Sequence, residues 1–341
     1  MKNLSIIEKF LFIINSVFAV LFLISLSLPL INPALFPYLS ILSLFSPILI
    51  LINFLFVFFW LAKLKKQFLL STIILCLGYN SVLSFINFSN NSLFVGGDNL
   101  SVLSYNVRLF NKYNWIKSDD IGNKINSFLI SEDPDIICLQ EFQDNIIDLS
   151  NYPYKFKFSK GSNTVYGQAI FSKFPIINRQ TIDLASSSNN AIFVDLKINN
   201  DTIRLYNIHL QSFSIEKKID LSAVNVEENK KLVSRISKTF INQSKQVKLL
   251  SQSLGNSPYK IVLAGDFNNT AFSYSYRKLI EGLKDSFIEK GNGLGITFNY
   301  NFIPLRIDFI LSDANFDINN FKTFDIPYSD HYPILARLNL K

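Results

Sequence analysis

Three long uncharged stretches near the N-terminus restrict the possible folds of this chain more than any other feature. They cover residues 10–28, 39–62 and 68–88, and each reaches the roughly 20 residues that a helix needs to cross the hydrocarbon core of a bilayer. One such stretch could be a buried core helix or a signal peptide. Three in succession, none followed by a small-residue cleavage pattern, favour membrane spans. We therefore predict a membrane domain over residues 1–88 with three transmembrane helices at about these positions.

The charges of the chain are distributed unevenly, and this separates its two parts. Hydrophobic residues make up 49% of the sequence and the net charge is +7. Residues 1–88 contribute +4 of this charge, which leaves +3 for residues 89–341. The charged side chains of the first part are Lys2, Glu8, Lys9, Lys63, Lys65 and Lys66. A net charge of +3 on the second part is compatible with nucleic-acid binding but does not argue for it.

The lysines also predict the orientation of the spans. Lys2 and Lys9 precede the first span, and the KLKK sequence at residues 63–66 lies between the second and the third, whereas the first loop has no charge. Since cytoplasmic loops are enriched in lysine and arginine, the N-terminus and the KLKK loop are predicted to be cytoplasmic. Three crossings and a linker, residues 89–98, then place residues 99–341 outside. We predict an integral protein of the inner (cytoplasmic) membrane with a periplasmic or extracellular domain.

From residue 99 onward the pattern changes to short apolar runs separated by turns and helical stretches. Several runs are continuously apolar, as expected for strands that are covered on both faces. The predicted strands are Ser101–Asn106, Asp135–Leu139, Gly167–Ser172, Ala191–Ile198, Thr202–Ile208, Lys260–Gly265, Arg306–Leu311 and Ile334–Leu338. Helical patterns cover Asp119–Ser131 and Ile215–Leu254, the second broken near residues 220–225. Strands that alternate with helices, together with adjacent hairpin-like strands, predict an α/β sandwich with mixed sheets.

Polar side chains recur at the ends of these apolar strands. One carboxylate at a strand end is usually only solvated, but six such ends indicate side chains that converge on one rim of the sandwich. Asp308 is the sharpest case, because it lies inside an apolar strand and a buried carboxylate needs a partner. Arg306, two residues earlier, is expected to pair structurally with a carboxylate. The candidate site residues are Asn106, Glu141, His209, Asp266, Asn268, Asp308, Asp330 and His331.

This set of side chains predicts a particular chemistry. The oxygen ligands of Asn106, Glu141 and Asp330 suit a hard cation such as Mg²⁺ or Mn²⁺ rather than zinc. A histidine paired with a carboxylate is a general acid/base with a fixed tautomer. Asp266 can orient a water, and Asn268 can donate a hydrogen bond to a phosphoryl oxygen. Since no motif with a nucleophilic serine or cysteine is present, direct attack of water on a phosphodiester or phosphomonoester is the simplest prediction.

Seven short segments carry the most specific signal in the sequence. They are LSYNVRLF, DIICLQEF, YGQAIFSKFPI, LYNIHLQS, IVLAGDFNNT, LRIDFILSD and YSDHYPILARL. In this order they resemble the endonuclease/exonuclease/phosphatase superfamily, which includes neutral sphingomyelinases, inositol-polyphosphate 5-phosphatases, pancreatic-type deoxyribonucleases and apurinic-site endonucleases. A single segment is weakly or moderately specific, but the ordered set is highly specific and covers about residues 99–341. The resemblance implies a four-layer α/β sandwich, in which two mixed sheets are flanked by helices.

The resemblance also implies roles for the metal ligands and for the general acid/base. Asn106 and Glu141 would hold the metal, with Asp330 close to it. His331 would be the general acid/base, and Asp308 would orient it.

Three further residues complete the site that the resemblance implies. His209 would contact the phosphate, Asp266 would orient or activate the attacking water, and Asn268 would bind the phosphoryl oxygens. Tyr166 and Gln168 could line the cleft, although packing at a strand edge is the default expectation. No core motif position is missing, which argues against an inactive homologue.

We therefore predict a membrane-anchored, metal-dependent phosphoesterase that acts on a lipid or on a small extracytoplasmic phosphoester. Its partners would be the substrate and the lipid bilayer, and no stable protein partner is implied. The alternative is an extracytoplasmic nuclease with DNA or RNA as its substrate, which a strongly basic cleft would favour. A third interpretation is a non-catalytic membrane scaffold that keeps the fold only for binding, and the complete set of motifs argues against it.

Overall fold

The computed structural model describes residues 4–89, 100–144, 146–159, 166–184, 187, 189–213, 226–300 and 303–340. Its helices are α1 Ile6–Ser27, α2 Pro37–Ser40, α3 Ser46–Ala62, α4 Phe68–Leu77, α5 Tyr79–Phe85, α6 Ile121–Glu132, α7 Val226–Gly255, α8 Tyr274–Leu279 and α9 Ser286–Lys290. Its strands are β1 Ile86–Phe88, β2 Leu100–Asn106, β3 Ile136–Phe142, β4 Tyr154–Phe158, β5 Gly167–Ser172, β6 Ile176–Ile182, β7 Ala191–Ile198, β8 Asp201–His209, β9 Lys260–Asp266, β10 Leu283–Asp285, β11 Asn292–Leu294, β12 Phe298–Tyr300, β13 Ile303–Leu305, β14 Asp308–Asp313, β15 Phe316–Thr323 and β16 Ile334–Leu340.

Most of the strands belong to two six-stranded mixed sheets. The order in the first sheet is β15-β16-β2-β3-β5-β4, and the order in the second is β10-β14-β9-β8-β7-β6. Each sheet has one parallel pair near its middle, β2 with β3 and β8 with β9. The strands of a parallel pair end at the same edge of their sheet. In each sheet, the two strands of this pair therefore have their C-terminal ends side by side.

The apolar residues of the strands alternate between two sides, as the pleat requires. Val102 and Ile136 belong to a buried core with Val194 and Leu205, and this core lies between the two sheets. The opposite face of the first sheet packs on α6, through residues such as Leu129.

Helix α7 covers the outer face of the second sheet in the same way. Val247 and Leu250 of this helix pack with Leu263 and Phe309 of the sheet. The layers are therefore helix, sheet, sheet and helix, and the predicted four-layer α/β sandwich of two mixed sheets is confirmed.

All eight predicted strands are present, with ends that shift by up to three residues. The predicted helix over Asp119–Ser131 is α6, and the helical pattern over Ile215–Leu254 corresponds to α7 from Val226 onward. The break predicted near residues 220–225 lies outside the described residues. The strands that the sequence did not indicate include the edge strands β4, β6 and β15. Edge strands are half exposed, so their polar residues hide the apolar pattern; β6 reads IINRQTI.

The N-terminal part contains two helices that are long and apolar enough to cross a membrane. They are continuous over Ile6–Leu30 and Pro37–Ala62, and they include the first two predicted spans. The third predicted span, residues 68–88, is not one straight helix. Its helices α4 and α5 are bent by 80° at Gly78, and they count as a third span only if the bent pair is taken as one. The last three residues of the predicted span form strand β1 instead.

Close packing accounts for glycine at the bend. A Cβ atom on Gly78 would lie 2.9 Å from Cζ of Phe22 and 3.1 Å from Cδ2 of Leu26 in α1. The glycine thus allows α1 to approach the point where α4 ends and α5 begins.

The N-terminal helices pack directly against the sandwich. Residues 28–30 contact α8, and α2 contacts α7. Strand β1 pairs with β11 in a two-stranded ribbon, so the chain enters the sandwich before the predicted linker at residues 89–98 begins. Of that linker, only Ser89 lies within the described residues, and its backbone N–H donates to the carbonyl of Gly291 at 3.2 Å.

Candidate active site

The candidate site residues meet at the edge where the central strands of both sheets end. β2 ends at Asn106, β8 at His209 and β9 at Asp266. Asp308 opens β14, which runs antiparallel to β9, so Asp308 lies opposite Asp266 in register. His331 precedes β16, which runs antiparallel to β2. The topology therefore brings together the residues that the strand-end pattern singled out.

Close approach of two backbones at Gly265 sets the position of the next residue. Gly265 has a φ of +140°, and a Cβ atom there would lie 2.0 Å from the carbonyl oxygen of Ile208. Only glycine fits this conformation and this contact. As a result, Asp266 pairs in register with His209 across β8 and β9.

Glu141 reaches the same edge through a β-bulge in β3. The register between β3 and β5 shifts between Gln140 and Phe142, and Glu141 has a φ of 49°. A bulge of this kind redirects one side chain relative to the regular pleat. Oε1 of Glu141 lies 3.4 Å from Nδ2 of Asn106, so two of the predicted metal ligands are neighbours.

His331 and Asp308 form a buried ion pair. Nδ1 of His331 lies 3.1 and 3.0 Å from the two carboxylate oxygens of Asp308, and the ring of Phe298 packs against the imidazole with the ring centroids 4.7 Å apart. Burial opposes the charge on His331, but Asp308 and Asp266 outweigh this effect and raise its pKa to about 10. The pair therefore favours a protonated imidazole. Its Nε2 lies 3.7 Å from Oδ2 of Asp266.

Asp266 is the centre of the polar network. Its Oδ2 accepts hydrogen bonds from Nδ2 of Asn106 at 3.0 Å and from Nδ2 of Asn268 at 3.2 Å. Its Oδ1 accepts the backbone N–H of Asn268 at 2.7 Å. Burial raises the pKa of Asp266 to about 7, although the charge on His331 opposes this shift. A carboxylate with a pKa near neutrality can accept a proton at physiological pH.

The side-chain amide nitrogen of Asn268 makes two hydrogen bonds within the protein. Besides the bond to Asp266, its Nδ2 donates to the carbonyl oxygen of Leu210 at 2.9 Å. Its φ of 48° lies in the left-handed region. Both amide hydrogens are therefore engaged within the protein, and a hydrogen bond to a phosphoryl oxygen stays a prediction that requires one of them to change partner.

His209 presents a buried nitrogen to the carboxylates. Its Nε2 has no hydrogen-bond partner among the described residues. This atom lies 3.6 Å from Oδ2 of Asp266 and 3.9 Å from Oε1 of Glu141. Burial, and then the charge on His331, lower the pKa of His209 to about 3, so the ring is neutral. Because buried polar atoms are rarely left without a partner, this nitrogen marks a place for an additional ligand.

Two adjacent groups of side chains could hold a divalent cation. One contains the predicted ligands Asn106 and Glu141. The other consists of Asp266, Asp308 and His331, whose candidate ligand atoms all lie within 4.8 Å of one another. Burial raises the pKa of Glu141, and the charge on His331 opposes this shift. The oxygen-rich donor set fits a hard cation.

Arg108 also contacts the candidate site residues, although the sequence did not indicate it. Its Nη1 lies 3.1 Å from Oδ2 of Asp330, and its guanidinium carbon lies 4.2 Å from the ring centroid of Trp115. Its backbone N–H donates to Oδ1 of Asn106 at 3.1 Å. Asn106 therefore turns its Nδ2 toward the carboxylates, and the third predicted ligand, Asp330, is paired with Arg108. The signal that could have found Arg108 is its place in the LSYNVRLF segment, two residues after Asn106.

The backbone after Asn106 adopts a left-handed turn. Residues 108–111 have φ values of 42°, 52°, 52° and 63°, a conformation that costs roughly 1–2 kcal/mol for each residue with a side chain. The side chain of Asn111 closes the turn with hydrogen bonds to the backbone N–H and carbonyl of Ile116, both at 2.9 Å. Strained backbone of this kind is characteristic of functional sites.

A pocket of about 440 Å³ opens beside the polar network. Its lining includes Glu141, His209, Tyr113, Trp115 and Tyr166. The side chains of Tyr113 and Trp115 are well exposed, at 60% and 43%. Tyr166 thus lines the cleft.

Gln168, two residues after Tyr166, is instead buried. Its Nε2 donates to the carbonyl oxygen of Asn207 at 3.3 Å. Gln168 therefore packs within the sheet and does not line the cleft.

Comparison with protein families and with solved structures gives consistent results. The sequence matches the Endonuclease/Exonuclease/phosphatase family over residues 103–331, and residues 8–85 match a Domain of unknown function (DUF8431). No curated protein matches the sequence.

Three solved structures illustrate the likeness of the fold. D. rerio TDP2 complexed with a single-strand DNA product has a TM-score of 0.52 and 18% identity, with 71% of this chain and 100% of that chain covered. The endonuclease/exonuclease/phosphatase from Bacteroides vulgatus has a TM-score of 0.53 and 18% identity, with coverages of 72% and 100%. The human Nocturnin catalytic domain with a bound sulfate anion has a TM-score of 0.52 and 16% identity, with coverages of 71% and 94%.

Proposed function

The chain belongs to the Endonuclease/Exonuclease/phosphatase family, and from this membership we propose that it is a membrane-anchored, metal-dependent phosphoesterase that uses water as its nucleophile. Members of this family are metal-dependent phosphoesterases or nucleases. The observation that carries the proposal is the buried line of side chains Asp308, His331 and Asp266, at the edge where the strands of both sheets meet.

The distance between His331 and Asp266 suits an attacking water. Nε2 of His331 lies 3.7 Å from Oδ2 of Asp266, so one water oxygen can make hydrogen bonds of ordinary length to both atoms. Asp266 orients this water and accepts its proton. His331, which Asp308 fixes through Nδ1, serves as the general acid/base and offsets the negative charge that develops on the phosphoryl group.

Asn106, Glu141 and Asp330 are the proposed ligands of Mg²⁺ or Mn²⁺. When bound, such a cation polarises a phosphoryl oxygen and offsets the charge of the carboxylates. Arg108 pairs with Asp330 at 3.1 Å. Binding through Asp330 therefore requires this ion pair to rearrange, which would leave the Arg108 guanidinium free to face a phosphate.

His209 and Asn268 are the proposed phosphate-binding residues. Nε2 of His209 has no hydrogen-bond partner among the described residues and lies near Asp266 and Glu141, so it could donate a hydrogen bond to a phosphoryl oxygen. Asn268 would donate one of its amide hydrogens once the phosphate is bound. The role of Asn268 requires one of its hydrogen bonds to be exchanged, because its amide is engaged with Leu210 and Asp266.

The proposed substrate is a phosphoester of a lipid, or a small phosphoester near the bilayer surface. Phe272 lies four residues after Asn268 and packs in the apolar cluster of the N-terminal helices with Phe22, Ile50 and Phe85. The catalytic edge is thus next to the helices that would enter the membrane. A phospholipid could then present its headgroup to the site while its acyl chains remain in the bilayer.

A nuclease is the alternative, and one observation favours it. Tyr113 and Trp115 are exposed beside the pocket, with ring centroids 5.1 Å apart, and Arg108 lies over the Trp115 ring. Exposed aromatic rings next to a cation suit the stacking of nucleic-acid bases. The charge of +3 on residues 89–341 is too small to decide between the two substrates.

The proposed topology has a cytoplasmic N-terminus and an external catalytic domain. Two separate parts of the membrane domain contact the sandwich: the connection near residues 28–40 and the end of α5. Lys63, Lys65 and Lys66 lie in the loop between α3 and α4, at the other end of α3 from the connection near residues 28–40. This arrangement fits cytoplasmic lysines and an external sandwich. A reporter fused after Lys341 that is active only in the cytoplasm would contradict this topology.

The decisive experiment is a hydrolysis assay on the full-length protein in a mild detergent, with Mg²⁺ or Mn²⁺ added. The substrates would be bis-p-nitrophenyl phosphate, p-nitrophenyl phosphate, phospholipid vesicles and plasmid DNA. His331→Ala and chelation of the metal should each abolish the activity. Asp201→Asn is a matched control, since Asp201 begins β8 at the far end from His209 and its side chain is 54% exposed.

Each outcome of this assay has a definite meaning. Preference for vesicles supports the lipid phosphoesterase, and preference for plasmid DNA supports the nuclease. A folded, metal-loaded protein that binds vesicles but hydrolyses none of the four substrates would favour the scaffold. Activity that survives in His331→Ala would exclude the proposed site.

A further inference from the structure

Arg306 forms a buried junction between the membrane helices and the catalytic strand β14. Its Nε donates to the carbonyl oxygen of Ser84 in the last turn of α5 at 3.0 Å. Its Nη1 donates to Oδ2 of Asp285 at 2.7 Å, so the expected structural pairing with a carboxylate is present. Arg306 is only 7% exposed, and it lies two residues before Asp308. A cation suits this place, because the C-terminal end of a helix carries a partial negative charge.

A second connection runs through the ribbon of β1 and β11. The side chain of Asn87 donates to the carbonyl oxygens of Phe287 and Ile288 at 2.9 and 2.6 Å. Just after the ribbon, the backbone N–H of Gly295 donates to the carbonyl oxygen of Phe85 at 3.1 Å. A Cβ atom on Gly295 would lie 2.7 Å from Cδ of Arg306, so the two connections are in direct contact.

The segment that follows this ribbon holds the catalytic pair. Oγ1 of Thr297 accepts the backbone N–H groups of Ile307 and Asp308, both at 3.0 Å. The next residue, Phe298, packs on the imidazole of His331 with ring centroids 4.7 Å apart. The backbone N–H of Tyr332 donates to the carbonyl of Thr297 at 2.7 Å. The backbone of Asp308 and the imidazole of His331 thus both rest on residues 297–298.

We propose that Arg306 is a positioning residue through which the docked membrane helices hold Asp308 and His331 in their catalytic geometry. Arg306 donates a hydrogen bond to the carbonyl oxygen of Ser84, and Gly295 donates one to the carbonyl oxygen of Phe85. Arg306 and Gly295 in turn adjoin the segments that hold the two catalytic side chains. The membrane domain is then a structural part of the active site in addition to an anchor. The inference rests on the proposed role of His331, but its test below reads geometry directly.

The alternative is that Arg306 contributes stability alone. The sandwich contains a second buried arginine that allows this to be tested. Arg204 makes a bidentate pair with Asp195 at 2.7 and 2.9 Å, and its guanidinium lies 4.1 Å from the ring centroid of Phe193. Arg204 resembles Arg306 in burial, in its carboxylate partner and in its aromatic neighbour, yet it contacts neither the membrane helices nor residues 297–298 among its described partners.

The test compares Arg306→Lys with Arg204→Lys in the full-length protein in detergent. Lysine keeps the positive charge but lacks the planar fork that serves two acceptors at once. Because the chain has only two histidines, selective ¹⁵N labelling of histidine gives two imidazole spin systems, which the His331→Gln variant assigns. We expect the His331 signals to shift in Arg306→Lys and to match the wild type in Arg204→Lys.

The kinetic expectation follows from the same geometry. In Arg306→Lys, kcat should fall by about 10- to 100-fold while KM stays unchanged, since misplacement of a catalytic group by about 1 Å can cost this much. Asn87→Ala, which acts only from the membrane side, should move the His331 signals and kcat in the same direction. Arg204→Lys should lower the thermal stability without changing kcat.

The result that would overturn the proposal is a folded Arg306→Lys protein whose His331 signals coincide with those of the wild type. Equal shifts in Arg306→Lys and Arg204→Lys would also overturn it, because they would reflect a general loosening of the sandwich. If the wild type proves inactive but the His331 signals shift as expected, the positioning holds and the proposed reaction fails.

Discussion

Nδ1 of His331 lies 3.0 Å from Oδ2 of Asp308 in the buried rim of the sandwich. The two residues are 23 positions apart in the sequence; Asp308 opens β14 of the second sheet, and His331 precedes β16 of the first. Their contact fixes which imidazole nitrogen is available to the substrate, because Nδ1 is occupied and Nε2 faces Asp266 at 3.7 Å. The pair therefore joins the two halves of the sandwich at the point where chemistry is proposed.

Replacement of Asp308 by asparagine should inactivate the enzyme without unfolding it. The amide keeps the shape of the side chain but cannot stabilise a protonated imidazole, so we expect kcat to fall by roughly 10²- to 10⁴-fold, the usual range for the loss of general acid/base catalysis. KM should change little, since Asp308 does not face the pocket. Steady-state kinetics on the best substrate would measure this, with Asp201→Asn as the exposed control. A loss of less than 10-fold in Asp308→Asn would show that His331 acts without its partner.

The sequence predicts part of this arrangement. A carboxylate inside an apolar run must find a partner, and polar residues at the ends of parallel strands must meet at one edge. These two arguments predict that Asp308, His331, Asp266 and His209 converge on one rim, and they depend only on local pattern and on sheet geometry. That Asp308 in particular orients His331 is implied only by the resemblance to the family.

Other features of the site depend on backbone conformations that the residue types do not predict. Glu141 reaches the rim through a bulge at a φ of 49°, and Arg108 through a left-handed turn, although neither residue is a glycine. The bend of 80° at Gly78 and the docking of α5 on Arg306 depend on contacts between distant parts of the chain. Such contacts leave no periodic trace in the sequence, which is why the third span was predicted as one straight helix.

The stability of the metal-free protein should fall as the pH rises from about 6.5 to 10. The ordinary pKa of a histidine is 6.5, and in the folded protein the pKa of His331 is raised to about 10. A raised pKa means that folding favours the protonated form, so the stabilisation is fully present below pH 6.5 and is lost as the pH passes through 10.

Chemical denaturation of the wild type and of His331→Gln, both in chelator, would measure this effect. The free-energy difference between the two proteins should shrink over the stated pH range and stay constant below it. A difference that does not change between pH 6.5 and 10 would contradict a protonated, buried His331.

Metal titration should distinguish the two candidate groups of ligands. We expect Glu141→Gln to raise the dissociation constant for Mn²⁺ by at least about 10-fold, a loss that is typical even for residues that only support a ligand. Asp308→Asn should raise it less, since Asp308 is engaged with His331. Calorimetry on the full-length protein would give both constants. The opposite order would assign the ion to Asp266, Asp308 and His331.

Gly265→Ala should prevent the site from forming, because the backbone there tolerates no side chain. A Cβ atom would lie 2.0 Å from the carbonyl oxygen of Ile208, and the φ of +140° is strained for any other residue. We expect a loss of stability of about 4 kcal/mol or more, at the upper end for single substitutions. Gly255→Ala is the matched control, because a Cβ atom there meets nothing within 4 Å and alanine is the better residue in a helix. Urea denaturation of both variants would test this, and a Gly265→Ala protein as stable as Gly255→Ala would show that β8 and β9 can separate far enough to admit the methyl group.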